Sequence, residues 1–218
     1  MKPPARSPLL RDRLAGLPAP ARQSMQQALA QLNQGAPQRA AATLASVLAF
    51  APEHPEALRL LALARYQTGQ PREAVPLLRR ALQGWPDDAV LLSTLGGLLG
   101  NLGEIEEALD VLGRACAAQP PLVAAWFNRG RLLSAKAEVA AAREALQRAV
   151  ELEPGHVPAR TLLAGTLAAL GETAAAASEY RRAIAHEPAA AQAWLGLVNL
   201  KTVRLDASES EQLARLHA

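Results

Sequence analysis

Four residue sets in this 218-residue chain have types that can do chemistry: the histidines, the lone cysteine, a glycine-rich stretch and a series of arginines. The histidines are His54, His156, His186 and His217, and no two have metal-ligand spacing. With one cysteine in the chain, Cys116, a zinc site has too few donors and an internal disulfide has no second partner. Cys116 follows an alanine at a spacing where apolar residues pack, so it is expected as a small buried hydrophobe and not as a nucleophile. "LGGLLGNLG", residues 95 to 103, has the glycine content of a phosphate loop. It lacks the G-x-G-x-x-G spacing and follows no strand, which a nucleotide cradle needs. It reads instead as a helix weakened by Gly96, Gly97 and Gly100, each costing about 1 kcal/mol relative to alanine. A soft point, or room for a bound chain to lie close, is the expectation there. No catalytic serine motif and no Walker-type motif occurs, so the chain is expected not to be an enzyme and to need no cofactor or metal.

The arginines are Arg80, Arg114, Arg148 and Arg182, each 34 residues from the next. Their regularity leads back to the elements that hold them. Pro52, Pro86, Pro120, Pro154 and Pro188 keep the same step, as do Ala40, Ala74, Ala108, Ala142 and Ala176, and Ala28, Ala62, Gly96, Gly130 and Ala164. A fixed period with no insertions over five units is the mark of a repeat architecture. Half of the residues are apolar but only 3% are aromatic, and alanine and leucine dominate. These are helix formers, and an all-α chain follows. Units start at residues 21, 55, 89, 123, 157 and 191. Each reads as two helices, with a glycine (Gly35, Gly69, Gly103 or Gly171; Ala137 in the fourth unit) closing the first helix and a proline ending the unit. The small residues at positions 8 and 20 mark where paired helices come close. One hairpin cannot bury its apolar face, but a stack of them can.

The pattern resembles the tetratricopeptide repeat: a large residue at position 4 (Trp126, Trp194), Leu then a small residue at 7 and 8, Gly at 15, Ala at 20, a large residue at 24 (Leu112, Leu146, Tyr180), Ala at 27 and Pro at 32. The resemblance covers residues 21 to about 204. It implies a right-handed α-solenoid of helix hairpins, five full repeats plus a capping pair, that binds other proteins or peptides in a concave groove lined by the first helices. The organisation expected is a Pro-rich basic leader over residues 1–20, the repeat domain over 21–204 and a capping helix over 205–218. In that geometry positions 2, 5, 9 and 12 face the groove. The candidate partner-binding residues are Arg59, Leu63, Tyr66, Phe127, Arg131 and Asn199, with a peptide or partner helix lying across the larger of them. Ser93, Ser134, Thr161, Gly165, Leu195 and Thr202 make up a small, weakly polar floor. The Lys and Asn set with which some members of the family clamp a C-terminal carboxylate is absent.

The net charge of +3 is mild. Lys2, Arg6, Arg11 and Arg13 cluster in the leader, but with Asp12 among them and no interleaved aromatic residues they do not make a nucleic-acid site. The leader has no apolar run of signal-peptide length, and no run reaches the roughly 18 apolar residues of a membrane span, so a cytoplasmic protein with no membrane or nucleic-acid partner is expected. Asp110 and Glu144, four residues before Arg114 and Arg148, offer ion pairs along an exposed face. After Leu205 the periodic rule ends. "DASESEQLARL" still reads as helical, starting near Glu209, with Ser208 and Glu211 spaced as a capping box. The stretch from Ala193 to Leu216 also resembles the segment joining the repeats to the enzyme in bacterial tetratricopeptide-repeat sulfotransferases, on Trp194 and the "NLKT" of residues 199–202. That resemblance implies kinship with the non-catalytic half alone. Two readings therefore stand: an interaction scaffold, or the substrate-docking region of a PAPS-dependent sulfotransferase, truncated or separately encoded.

Overall fold

The structure is a computed structural model and describes residues 12–200 and 203–216. Lys2, Arg6, Arg11, Thr202 and His217 lie outside them. Among the described residues there are twelve α-helices and no strand: α1 (Ala19–Asn33), α2 (Pro37–Phe50), α3 (Pro55–Gln67), α4 (Pro71–Gly84), α5 (Ala89–Leu102), α6 (Ile105–Ala118), α7 (Val123–Ala135), α8 (Val139–Leu152), α9 (Val157–Ala169), α10 (Thr173–His186), α11 (Ala191–Asn199) and α12 (Ala207–Leu216). They form two compact units, Met1–Pro120 with α1 to α6 and Pro121–Ala218 with α7 to α12. In each unit consecutive helices pair as hairpins and each hairpin packs on the next.

The period has a physical basis at each joint. The position-20 alanines Ala40, Ala74, Ala108, Ala142 and Ala176 have no exposed surface at all. At position 8, a β-carbon on Gly96 would sit 2.5 Å from Cγ of Leu112, and one on Gly130 would sit 2.6 Å from Cγ of Leu146. At Gly96 the leucine of the partner helix takes the volume of the missing side chain, and α5 runs unbroken through it. Cys116 is buried, as a small hydrophobe would be.

The turns inside the hairpins repeat as well. The amides of Ala36, Gln70, Glu104, Glu138 and Glu172 each donate to the carbonyl five residues back, Gln31, Arg65, Leu99, Leu133 and Leu167. That bond requires a left-handed residue just before it. Gly35, Gly69, Gly103 and Gly171 supply it, with φ between 70° and 84°, and Ala137 is forced to φ 58°. A β-carbon at any of the four glycines would meet nothing within 4 Å, so the demand for glycine is one of backbone conformation and not of space. Left-handed backbone costs an L-residue roughly 1–2 kcal/mol, less the chain entropy that glycine brings to the unfolded state. Ala137→Gly is expected to stabilise the chain by about 1 kcal/mol and to raise its thermal melting midpoint by roughly 2–4 °C. A fall in the midpoint in a calorimetric scan would contradict that account.

One expectation about surface charge is corrected, and Arg13 of the leader cluster is held within the first unit. Its guanidinium donates to Glu56 at 2.6 Å and to Asp88 at 2.8 Å, and it lies 5.7 Å from the centre of the Trp85 ring. Asp88 also caps α5 by accepting from the Leu91 amide. The position-26 arginines do not pair with Asp110 and Glu144. Arg80 and Arg114 reach back to the carbonyls of Pro52 and Pro86, with Glu53 and Asp87 beside them, while Arg148 and Arg182 pair with Glu151 and Glu179. In the first unit the long guanidinium reaches the turn before its hairpin, where a carbonyl and a carboxylate stand together; in the second it pairs with an acid three residues away on its own helix.

At the C-terminal end α11 stops at Asn199, and the extended Leu200 packs with Val203 and Leu205 against the apolar core of the second unit. The reciprocal cap of α12 lies two residues earlier than the Ser208–Glu211 pairing. The Glu209 amide donates to Asp206 at 2.8 Å and the Asp206 amide donates to Glu209 at 3.0 Å. An aspartate caps at least as well as a serine and carries a charge that suits the helix N-terminus. Glu209 is further held by Arg181 of α10 at 2.6 Å, which keeps its carboxyl below the usual range.

Candidate functional site

The second unit contains a cavity of about 430 Å³ between α7, α9 and α11. Position 5 contributes Thr161 and Leu195, position 9 contributes Gly165 and Asn199, position 12 contributes Ser134, and Gln192, Thr166, Val139, Leu162, Ala169 and Gly196 complete the wall. Tyr180 of α10 forms the floor. The volume falls in the range of small-ligand pockets. It exists because the first helices carry glycine, alanine or short hydroxyl residues where longer side chains would close it.

Tyr180 stands at position 24, where the preceding repeats have Leu112 and Leu146. Its ring is longer than leucine, and Gly196 makes room for it: a β-carbon there would lie 2.5 Å from the phenol oxygen. The side chain is 7% exposed, and among the described residues no hydrogen-bond partner meets its hydroxyl. Burial pushes the phenol pKa up, so the group is neutral and keeps its proton. Around it, the Thr161 hydroxyl donates to the Val157 carbonyl at 3.0 Å and the Thr166 hydroxyl donates to the Leu162 carbonyl at 2.8 Å. Their protons are committed to their own helix, and their oxygens are left as acceptors toward the cavity. Ser134 Oγ is 3.5 Å from Thr166 Oγ1. None of the residues lining the cavity carries a charge.

Of the residues singled out from the sequence, Asn199 lines this cavity, as do the floor residues Ser134, Thr161, Gly165 and Leu195. Phe127 is half-buried, packs against the core of the second unit and lies tilted against the His156 ring, with centroids 4.8 Å apart. Arg131 is half-buried on the same helix. In the first unit, Arg59 is tied to Glu56 at 2.5 and 2.9 Å, Leu63 packs against the core of that unit, and the exposed Tyr66 accepts a hydrogen bond from Asn101 at 2.9 Å. His54 and His156 cap α3 and α9, each accepting an amide at its Nδ1. Burial lowers the pKa of His54 and favours the neutral ring that this acceptance needs. Among the described residues no cluster of His, Cys, Asp or Glu could hold a metal ion, and no helix is long and apolar enough to cross a membrane.

The sequence reading missed Arg160. It occupies position 4, where Trp126 and Trp194 stand in other units, and it is buried. Its Nε donates to the Pro154 carbonyl at 2.6 Å, as the indole N–H of Trp194 donates to the Pro188 carbonyl at 2.9 Å. The planar guanidinium thus takes the place and the hydrogen bond of an indole, and Glu179 of α10 neutralises its charge. A charged residue in a core slot was the available signal. Nothing in the spacing pointed to a partner 19 residues away.

Helix hairpins of one length, stacked at a 34-residue step through small residues, define the class: an α-solenoid of helix hairpins. Tetratricopeptide repeat models match residues 25–89 and 161–217, 65–128, and 123–156, and the chain belongs to the tetratricopeptide repeat family. Among curated proteins none matches it. Solved structures with the same fold include PilF of Pseudomonas aeruginosa, at 22% identity and a TM-score of 0.79, over 90% of this chain and 88% of that one. PilW, described as a type IV pilus biogenesis factor, is 20% identical with a TM-score of 0.77, over 92% and 94% of the two chains. YrrB, described as a protein with an unusual peptide-binding site, is 21% identical with a TM-score of 0.63, over 84% and 92%.

Proposed function

We propose that this chain is a non-catalytic interaction scaffold that holds a peptide segment or partner helix in the cavity between α7, α9 and α11. The observation that carries the reading is that cavity: uncharged, built from equivalent positions of three successive first helices, and large enough for side chains of a ligand. Asn199 lines it, Phe127 and Arg131 of α7 lie outside its lining on the helix that bounds it, and Arg59, Leu63 and Tyr66 occupy the corresponding helix positions in the first unit. The peptide-binding site in the description of YrrB supports the idea that this fold carries such a site. No observation favours the sulfotransferase-docking alternative over this one.

The test is selection of peptides from a displayed random library on the immobilised full chain, followed by Gly165→Arg. A β-carbon at Gly165 meets only the Tyr180 hydroxyl, at an ordinary 3.5 Å, and arginine is a better helix former than glycine. The variant is therefore expected to fold and to fill the cavity. Selected peptides are expected to lose at least tenfold in affinity. No enrichment, or binding indifferent to Gly165→Arg, would show the assignment to be wrong.

A further inference from the structure

The same cavity carries a specificity, and the inference rests on the binding role proposed for it. We infer that it takes an uncharged carboxamide, the side chain of an asparagine or glutamine in the bound segment, and not the carboxylate terminus that other members of the family clamp.

Three observations converge on that chemistry. First, the lining has no cation to meet a carboxylate and no acid to meet an ammonium or guanidinium group. Removing a charged group from water without a counter-charge is unfavourable, so this lining disfavours a charged side chain. Second, beside Gln192, Asn199 and Ser134, which can both donate and accept, the polar atoms of α9 have a fixed role. Thr161 and Thr166 have spent their protons on their own helix and offer oxygens only. A ligand group facing them must donate. Third, the Tyr180 ring is buried while its hydroxyl, neutral and with no partner among the described residues, opens onto the cavity and supplies a donor there. A primary amide does both at once through separate atoms, its NH2 donating to the threonine oxygens and its carbonyl accepting from the phenol, and it carries no charge.

An aliphatic ligand would cover the tyrosine hydroxyl and leave it without water or a partner, which is the costly outcome for a polar group. The position also departs from its own repeats. Leu112 and Leu146 at the equivalent sites would give an apolar floor, and the exchange to tyrosine is accommodated only because Gly196 has no side chain. The polar floor is thus a feature of this hairpin and not of the period.

The experiment is amide-resolved NMR titration of the full chain with three short probes of identical backbone: acetyl-Ala-Gln-Ala-amide and its Glu and Lys counterparts. The Gln probe is expected to shift resonances of Gly165, Thr166 and Gly196 saturably, and the Glu and Lys probes are expected to bind at least tenfold more weakly. Tyr180→Phe keeps the ring against Gly196 and removes only the hydroxyl. It is expected to weaken the Gln probe roughly five- to tenfold, the effect of one lost hydrogen bond to a buried donor, with the melting midpoint retained. If all three probes bind alike, or Tyr180→Phe leaves the Gln probe unchanged, the carboxamide specificity is wrong while the binding role survives. If no probe binds and the library also yields nothing sensitive to Gly165→Arg, the binding role itself fails.

Discussion

Glu179→Ala is expected to destabilise the chain by about 3 kcal/mol, the lower end of what breaking a buried ion pair costs. Arg160 is 6% exposed and its guanidinium lies against Glu179, whose side chain is 12% exposed. Removing the carboxylate leaves a charge in the core of the second unit with only the Pro154 carbonyl to meet it. The loss of the second pair, Arg182 with Glu179, adds little because Arg182 is largely in solvent. For a chain of this size, 3 kcal/mol lowers the melting midpoint by roughly 6–12 °C. The companion variant replaces both partners, Arg160→Leu with Glu179→Leu. It restores the kind of side chain that position 4 holds in Leu58 and Leu92, and it is expected to stay within about 1 kcal/mol of the parent, since an apolar pair can replace a buried ion pair at little cost. A loss below 1 kcal/mol for Glu179→Ala, measured by denaturant unfolding, would show that solvent reaches Arg160 and that the pair is superficial.

Arg160 also marks the border between what was legible in the sequence and what was not. A 34-residue step in proline, alanine and glycine reflects geometry that every hairpin must satisfy, so it can be read without coordinates. The closing glycines, the invisible alanines at position 20 and the turn prolines all follow from backbone conformation and close approach. Pairs that depart from the period are hidden, because each partner looks like an isolated exception. Arg160 with Glu179, Arg13 with Glu56 and Asp88, and Tyr180 with Gly196 join residues at unrelated repeat positions. For the same reason the list of groove positions reached Ser134, Thr161, Gly165, Leu195 and Asn199 but not the tyrosine beneath them. Tyr180 belongs to a second helix, and the family pattern assigns its position to the core. The early end of α11 was missed because Leu200, Val203 and Leu205 gain more from packing on the core than from continuing a helix that β-branched residues make less favourable.

Gly196→Ala is expected to cost about 2 kcal/mol, although alanine is the better helix former by about 1 kcal/mol at an ordinary position. The added methyl would overlap the Tyr180 ring, so the ring must leave its place against α11 to admit it. Tyr180→Leu in the same chain removes the obstacle and returns position 24 to the residue found at Leu112 and Leu146. The double variant is therefore expected to recover most of the loss, and the two substitutions to couple by about 1–3 kcal/mol in a double-mutant cycle, as contacting residues do. Additive effects would mean that the glycine serves backbone flexibility and not the ring. The same pair separates stability from recognition. Gly196→Ala with Tyr180→Leu keeps the hairpin stack but gives the cavity an apolar floor, so a stable chain that no longer prefers a carboxamide probe would place the selectivity on the tyrosine hydroxyl and leave the fold to the repeat.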